Sequence, residues 1–140
     1  MDPKVVVFSC NFDGWSCIEA AANSGLRYPA AVKVVRVSCL SRIHAGLILK
    51  AFELDADGVM LLGCEPASCH FSADSEAISR EYEKAHRLMD MLGIRQDRLV
   101  LVHLPPFEGK QFVKQVARFL KKLKPRPSSR RHKLAVPDPV

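Results

Sequence analysis

Four short apolar runs recur along the chain, and segments with helical periodicity separate them. The runs are rich in Val and Leu and span residues 5–10, 32–39, 58–64 and 99–104. They are too short for globular helices, and their composition predicts strands that are buried on both faces of a parallel sheet. The alternation predicts a single α/β domain, doubly wound, with about four parallel strands and flanking helices.

The segments between and after these runs predict four helices. Their apolar positions follow a helical period, and Gly25 and Gly93 suit helix C-termini. The predicted spans are residues 14–24, from Arg42 to about 56, about 74–92 and about 108–123. Pro125 and Pro127 end the last helix, and the remainder is too poor in apolar residues to fold. We therefore expect a folded domain over residues 1–124 and a basic, Pro-rich disordered tail over 125–140.

Composition limits the class of protein. The chain has 140 residues and a 48% hydrophobic fraction, enough for one domain with a sizeable core. It has no apolar run long enough to span a membrane and no export signal, so we expect a soluble, cytoplasmic protein. Its five cysteines are an odd number. In a reducing compartment, cysteines more often bind metal or perform redox chemistry than form a disulfide framework.

The positive charge is concentrated at one end of the chain. Residues 110–140 contain ten Lys or Arg and a single acid, Asp138, whereas the first 109 residues are mildly acidic. A basic end on an acidic body is typical of docking to an acidic partner, nucleic acid or an anionic membrane. A solvated helix face followed by a loose tail explains the same charges equally well.

Three of the predicted strands end in a cysteine: Cys10, Cys39 and Cys64. Ligands of open α/β sheets bind beyond the carboxyl ends of the strands, so these thiols are expected to line one crevice. Cys69 follows Cys64 in the short segment GCEPASCH, which can wrap two sulfurs round one metal. Thiolates select zinc, Cu(I) or iron-sulfur clusters. The alternative is that these cysteines pack as small buried hydrophobes.

The same residues carry a resemblance to a known family. The chain contains CNF at Cys10, YP at Tyr28, RVSC ending at Cys39, ADGV from Ala56 and GCEPASCHF from Gly63. It resembles the delta subunit of methyl-viologen-reducing (F420-non-reducing) hydrogenase, in which these stretches read CNWC, YP, RVxC, GADGV and GCxPGxCHY. The resemblance covers about residues 5–120. It implies a small [2Fe-2S] electron-transfer protein that connects a hydrogenase or formate dehydrogenase to the flavin subunit of heterodisulfide reductase.

The resemblance also implies a set of ligands, with one departure. Cys10, Cys39, Cys64 and Cys69 form the expected cluster-binding set. Where the family has a second cysteine in its CNWC motif, this chain has Asp13, and a cysteine appears one helical turn later at Cys17. Cys17 is therefore a reserve ligand or a core residue facing the sheet. Asp13 could itself supply an oxygen ligand.

Two polar residues could assist such a site. His70 follows Cys69 directly and could donate a hydrogen bond to a cluster sulfur or act as a ligand, or it could be an exposed loop residue. Arg42 lies near the Cys39 turn and could offset the negative charge of a thiolate-bound cluster, or it could solvate the start of a helix. His103, near the end of the fourth run, is a weaker candidate for supporting the site.

Other functions make different demands on the same residues. A zinc-binding structural or interaction module would use the same four thiols, and zinc could also replace a lost cluster. A thiol-based redox protein would need a close cysteine pair with one reactive sulfur, and no Cys-x-x-Cys is present. Neither a dinucleotide nor a phosphate-binding glycine motif occurs. The tail has no Phe, Tyr or Trp for base stacking, so we expect no specific nucleic-acid partner.

Overall fold

A computed structural model describes residues 3–65 and 75–123 of the chain. The strands are β1 (Val5–Ser9), β2 (Val32–Arg36), β3 (Gly58–Cys64) and β4 (Leu99–Leu104). The helices are α1 (Asp13–Asn23), α2 (Ala45–Glu53), α3 (Ser75–Met91) and α4 (Gly109–Leu123). The predicted tail and the segment that contains Cys69 and His70 lie outside the described residues.

The four strands form one parallel sheet in the order β2-β1-β3-β4. β1 is central, with Ser9 opposite Arg36 of β2 and Leu62 of β3. The register between β3 and β4 pairs Cys64 with Leu104. This arrangement confirms the predicted doubly wound α/β domain, and it brings the ends of β2, β1 and β3 side by side.

Helices cover both faces of the sheet and create two separate cores. On one face, α2 and α3 pack over a cluster that includes Phe8, Ile48 and Met89. On the other face, α1 and α4 pack over a cluster that includes Val7, Leu62 and Phe112. Buried apolar residues on both sides of the strands explain why β3 is apolar throughout its length.

Two predicted boundaries differ from the structure near the end of β2. The strand ends at Arg36 rather than at Cys39, and residues Leu40–Arg42 form one turn of 3-10 helix. The second helix begins at Ala45 and not at Arg42, so that prediction was wrong by one turn. The cause is local, because the His44 side chain accepts a hydrogen bond from the backbone N–H of Leu47, 3.3 Å away, and so caps the helix.

A buried ion pair closes the amino end of the sheet. Asp57 and Arg98 are 0% and 3% exposed, and their charged groups lie 4.0 Å apart. Arg98 also donates to the backbone carbonyl of Asp57 at 2.9 Å, and the backbone N–H of Lys4 donates to the Asp57 carboxylate at 2.8 Å. These bonds join the starts of β1, β3 and β4. In the described part of the chain, no helix is long and apolar enough to cross a membrane.

Candidate metal centre

Two of the predicted ligands meet at the carboxyl end of the sheet. The Sγ atoms of Cys10 and Cys64 lie 3.5 Å apart, although the residues are 54 positions apart in sequence. Cys10 directly follows β1, and its backbone N–H donates to the carbonyl of Leu62 in β3 at 3.0 Å. The pairing of the two central strands therefore brings the two thiols together. Cys10 is buried and Cys64 is half-buried.

The start of α1 supplies backbone donors to both sulfurs. The N–H of Gly14 donates to Cys10 Sγ at 3.1 Å. The N–H of Asp13 also bonds to Cys64 and favours its thiolate form. A Cβ on Gly14 would lie 2.9 Å from the carbonyl oxygen of Leu62 and 3.1 Å from Cys10 Sγ. This glycine was not predicted as a site residue; the signal was a glycine at the start of a helix that follows a strand-end cysteine.

Burial opposes ionisation of the Cys64 thiol. Desolvation, followed by the hydrogen bond with the neighbouring Cys10 thiol, raises the pKa of the Cys64 thiol from 9.0 to about 12. Without a cation the Cys64 thiol therefore remains protonated at neutral pH. A metal that binds here must displace protons, and its positive charge would supply the stabilisation that buried thiolates lack.

The spacing of the two sulfurs suits coordination better than it suits a disulfide. A disulfide bond joins sulfurs about 2.05 Å apart, so the 3.5 Å separation corresponds to two free thiols. Two thiolates on one tetrahedral metal, each with a bond of about 2.3 Å, would be about 3.8 Å apart. A shift of a few tenths of an ångström would let Cys10 and Cys64 bind one metal atom.

Cys39 lies three residues beyond the end of β2 and does not join this pair in the structure. It is buried, and Ser41 Oγ donates to its sulfur at 3.2 Å. The next residue, Leu40, packs so closely on β3 that a Cβ on Gly63 would lie 2.5 Å from its Cδ1. Within residues 3–65 and 75–123, no group of three His, Cys, Asp or Glu side chains is close enough to hold a metal ion.

Cys17, the reserve ligand, lies in the other core. It is fully buried between α1, α4 and the sheet, and its thiol donates to the carbonyl of Pro105 at 3.2 Å. Burial raises the pKa of this thiol as well. Cys10, by contrast, belongs to the cluster beneath α2 and α3. The position of Cys17 favours the interpretation as a core residue.

The polar candidates differ in which cysteine's backbone they contact. Arg42 is exposed at the end of the 3-10 turn, and its backbone N–H donates to the carbonyl of Cys39 at 3.0 Å. His103 lies closer, since its Nδ1 donates to the carbonyl oxygen of Cys64 at 2.8 Å. That bond fixes the backbone that carries Cys64. Cys69 and His70 stay predictions, because they lie outside the described residues.

Aromatic side chains that the sequence did not single out lie on the same edge. The guanidinium of Arg36 stacks on the ring of Trp15 at 4.5 Å and also bonds to Asn11. Phe107 is 76% exposed, has a φ of 64°, and donates its N–H to Ser16 Oγ at 3.0 Å.

Comparison with known proteins agrees with the resemblance in the sequence. The family described as "Methyl-viologen-reducing hydrogenase, delta subunit" matches residues 5–125. The chain is 34% identical over 111 residues to the F420-non-reducing hydrogenase vhc iron-sulfur subunit of Methanococcus voltae, covering 79% of this chain and 77% of that protein. It is 32% identical over 118 residues to the F420-non-reducing hydrogenase iron-sulfur subunit of Archaeoglobus profundus, covering 84% and 86%.

A larger protein contains a similar segment. Over 121 residues the chain is 28% identical to one subunit of the ferredoxin:CoB-CoM heterodisulfide reductase of Methanosarcina mazei. The match covers 86% of this chain but only 15% of that larger protein. The family match and the two relatives above 30% identity lead to one conclusion: the chain belongs to the methyl-viologen-reducing hydrogenase delta-subunit family.

Proposed function

We propose that this chain is an iron-sulfur electron-transfer subunit with a [2Fe-2S] cluster bound by Cys10, Cys39, Cys64 and Cys69. The observation that supports it most directly is the 3.5 Å approach of Cys10 Sγ and Cys64 Sγ at the carboxyl end of the sheet. Four cysteine thiolates are the usual ligands of such a cluster. The relatives are named iron-sulfur subunits, which supports the same kind of cofactor.

Cys10 and Cys64 would form one side of the site, and the two other cysteines would close it. Leu40, packed on Gly63, holds the Cys39 turn against the end of β3. Cys39 follows the strand on one side of β1, and Cys64 ends the strand on the other side. Cys39 would have to move towards the pair on metal binding, since the described residues hold no group of three metal-binding side chains, and its thiolate could keep the hydrogen bond from Ser41 Oγ. Cys69 is proposed as the fourth ligand from the sequence alone, because it lies outside the described residues.

When bound, the cluster supplies reversible one-electron chemistry, and no substrate bond is made or broken. The protein positions the cysteine ligands, and its backbone donors stabilise their thiolate form. The N–H groups of Asp13 and Gly14 point at the two sulfurs and stabilise the thiolate form. Hydrogen bonds to sulfur raise the reduction potential of an iron-sulfur centre, so these two donors would raise the potential of a cluster bound here.

The position of the site suits transfer between proteins. The sulfur pair lies beyond the carboxyl ends of the two central strands, and Cys64 is half-buried. Trp15 and Phe107 lie on the same edge and offer apolar contacts to a docking protein. We propose that the donor is a hydrogenase or formate dehydrogenase and that the acceptor is a heterodisulfide-reductase-type flavin subunit. The similarity to a segment of a heterodisulfide reductase supports the acceptor.

Anaerobic purification tests the proposal. We expect a brown protein with equal amounts of iron and acid-labile sulfide, and an EPR signal after reduction with dithionite. A colourless protein that contains zinc and no sulfide would indicate the structural module instead. A metal-free protein with a reactive Cys10–Cys64 pair would indicate a thiol-based redox protein. Either result would refute the electron-transfer proposal.

A further inference from the structure

An apolar groove lies beside the edge strand β2, on the face of the sheet that α2 covers. Its volume is about 660 Å³, and α2 forms its other wall. Val6 and Phe8 form part of the floor, together with Val35 of β2. Leu54, just after α2, is 71% exposed and lines the same groove.

The topology explains why this groove is open. In the register of the sheet, Lys33 lies opposite Val6 and Val35 lies opposite Phe8, so these residues of β2 share the face covered by α2. Val6 and Phe8 belong to the core under α2, whereas Val35 is 41% exposed. The described helices therefore cover the central strands on this face, but none of them covers the edge strand β2.

Three lysines surround the apolar surface. Lys4, Lys33 and Lys50 all line the groove and are exposed. Lys50 pairs with Glu53 at 3.3 Å, while no ion pair to Lys4 or Lys33 is seen within the described ranges. Apolar walls with cationic margins are complementary to a segment that has an apolar stripe flanked by carboxylates.

We propose that this groove docks an acidic amphipathic helix of another protein, which completes the missing layer over β2. A helix with apolar residues at positions i, i+3, i+4 and i+7 would place them on Val35 and Leu54. Its flanking Asp and Glu residues would meet Lys4 and Lys33. The proposal concerns a surface on the α2 face and does not depend on which metal the cysteines bind.

Charge argues against two other occupants. The end of this chain, residues 124–140, carries five Lys or Arg and one Asp, so it would place positive charge against positive charge. A symmetric dimer through this groove would present the same patch on both copies and bring its lysines together. An acidic partner is the occupant that satisfies both the apolar walls and the charged margin.

Site-directed photocrosslinking in the native host tests the proposal. The photoreactive amino acid p-benzoylphenylalanine replaces Leu54 in the full chain, and a second version carries it at Met91, which is 81% exposed on α3. We expect crosslinking at position 54, and mass spectrometry should identify a peptide with a helical apolar stripe and net negative charge. The double variant Lys4→Glu/Lys33→Glu should lower the yield by about tenfold or more.

The control is Lys110→Glu/Lys114→Glu, which makes the same change of charge on α4 at the opposite face and should leave the yield unchanged. Circular dichroism shows whether each variant is folded. A crosslink from position 54 to this chain's own residues 124–140, to a second copy, or to a basic segment would overturn the proposal. So would a yield at position 54 no greater than that at position 91.

Discussion

The two ends of the same parallel sheet are built from different chemistry. At the amino end, Asp57 and Arg98 are buried as an ion pair and bonded to the backbone of neighbouring strands. At the carboxyl end, Cys10 and Cys64 lie together as free thiols at the start of a helix. In the first arrangement the two charges are paired within the protein, whereas in the second a bound cation would have to replace the proton that Cys64 keeps at neutral pH.

We infer from this difference that the amino end of the sheet serves stability and the carboxyl end serves metal binding. Breaking the ion pair would leave a buried charge unpaired in the part of the core where three strands begin. Removing a thiol at the other end deletes a ligand but leaves the strand pairing in place. We therefore expect substitutions at the amino end to change the free energy of unfolding, and substitutions at the carboxyl end to change metal binding.

The largest effect is expected at the carboxyl end, from Cys64→Ser. A serine removes one of the two sulfurs that already approach each other, so the variant should lose the iron-sulfur EPR signal entirely. Its metal-free form should unfold within about 1 kcal/mol of the metal-free parent. Cys17→Ser is the matched control, since this thiol lies in the other core, and the signal should be retained. A full signal in Cys64→Ser would refute the ligand set.

The next effect is expected at the amino end, from Arg98→Met. This variant leaves the Asp57 carboxylate buried without its cation and should lower the free energy of unfolding by about 3–5 kcal/mol. Arg95→Met is the control, because the Arg95–Asp97 pair is exposed at the surface and should contribute less than about 1 kcal/mol. Urea unfolding of the metal-free proteins measures both. Equal effects of the two substitutions would contradict the contrast between the ends of the sheet.

A smaller effect is expected from Gly14→Ala, which tests the packing around the sulfur pair. The added methyl group would approach the Leu62 carbonyl and Cys10 Sγ more closely than ordinary van der Waals contact allows. We expect a loss of about 1–3 kcal/mol in the free energy of unfolding, together with reduced iron content. Gly46→Ala in α2 is the control: its methyl group would lie 3.2 Å from His44 Nδ1, the atom that caps α2, so the gain in helix propensity should offset some disturbance of that cap, and iron content should be unchanged. Unchanged iron content in Gly14→Ala would show that the close approach is unimportant.

The smallest effect is a pH dependence at the carboxyl end of the metal-free protein. The pKa of the folded Cys64 thiol, about 12, lies above its ordinary value of 9.0. Between these values the folded state keeps a proton that the unfolded chain releases. The contribution of this thiol to the free energy of unfolding is therefore complete below pH 9 and falls as the pH rises towards 12. Denaturant unfolding across this range should show a shallower slope in Cys64→Ser than in the parent. Identical slopes would contradict the assignment.

The sequence was sufficient to predict the architecture because local signals agreed with one another. Short Val-rich runs, helical spacing and glycine stops all indicated alternating strands and helices, and the structure confirms four parallel strands. The prediction failed at the start of α2, where the side chain of a single polar residue fixes the first turn of the helix. His44 caps α2, and histidine is not among the usual capping residues, so the 3-10 turn at Leu40–Arg42 was missed.

The site was predictable in part, for a physical reason. The rule that ligands bind beyond parallel strand ends was enough to bring Cys10 and Cys64 to one edge. It could not predict that the N–H of Gly14 in α1 would donate to Cys10 Sγ, because this depends on the angle at which the helix leaves the strand. Nor could it decide whether Cys17 is a reserve ligand or a core residue, since Pro105, whose carbonyl its thiol contacts, lies 88 positions away.

Iron K-edge X-ray absorption on the anaerobically purified full chain tests the central proposal most directly. If Cys10, Cys39, Cys64 and Cys69 bind a [2Fe-2S] cluster, each iron should have a first shell of sulfur atoms alone and a second iron as its neighbour. A first shell that contains nitrogen or oxygen, or an iron without an iron neighbour, would contradict the all-cysteine cluster on which the account depends.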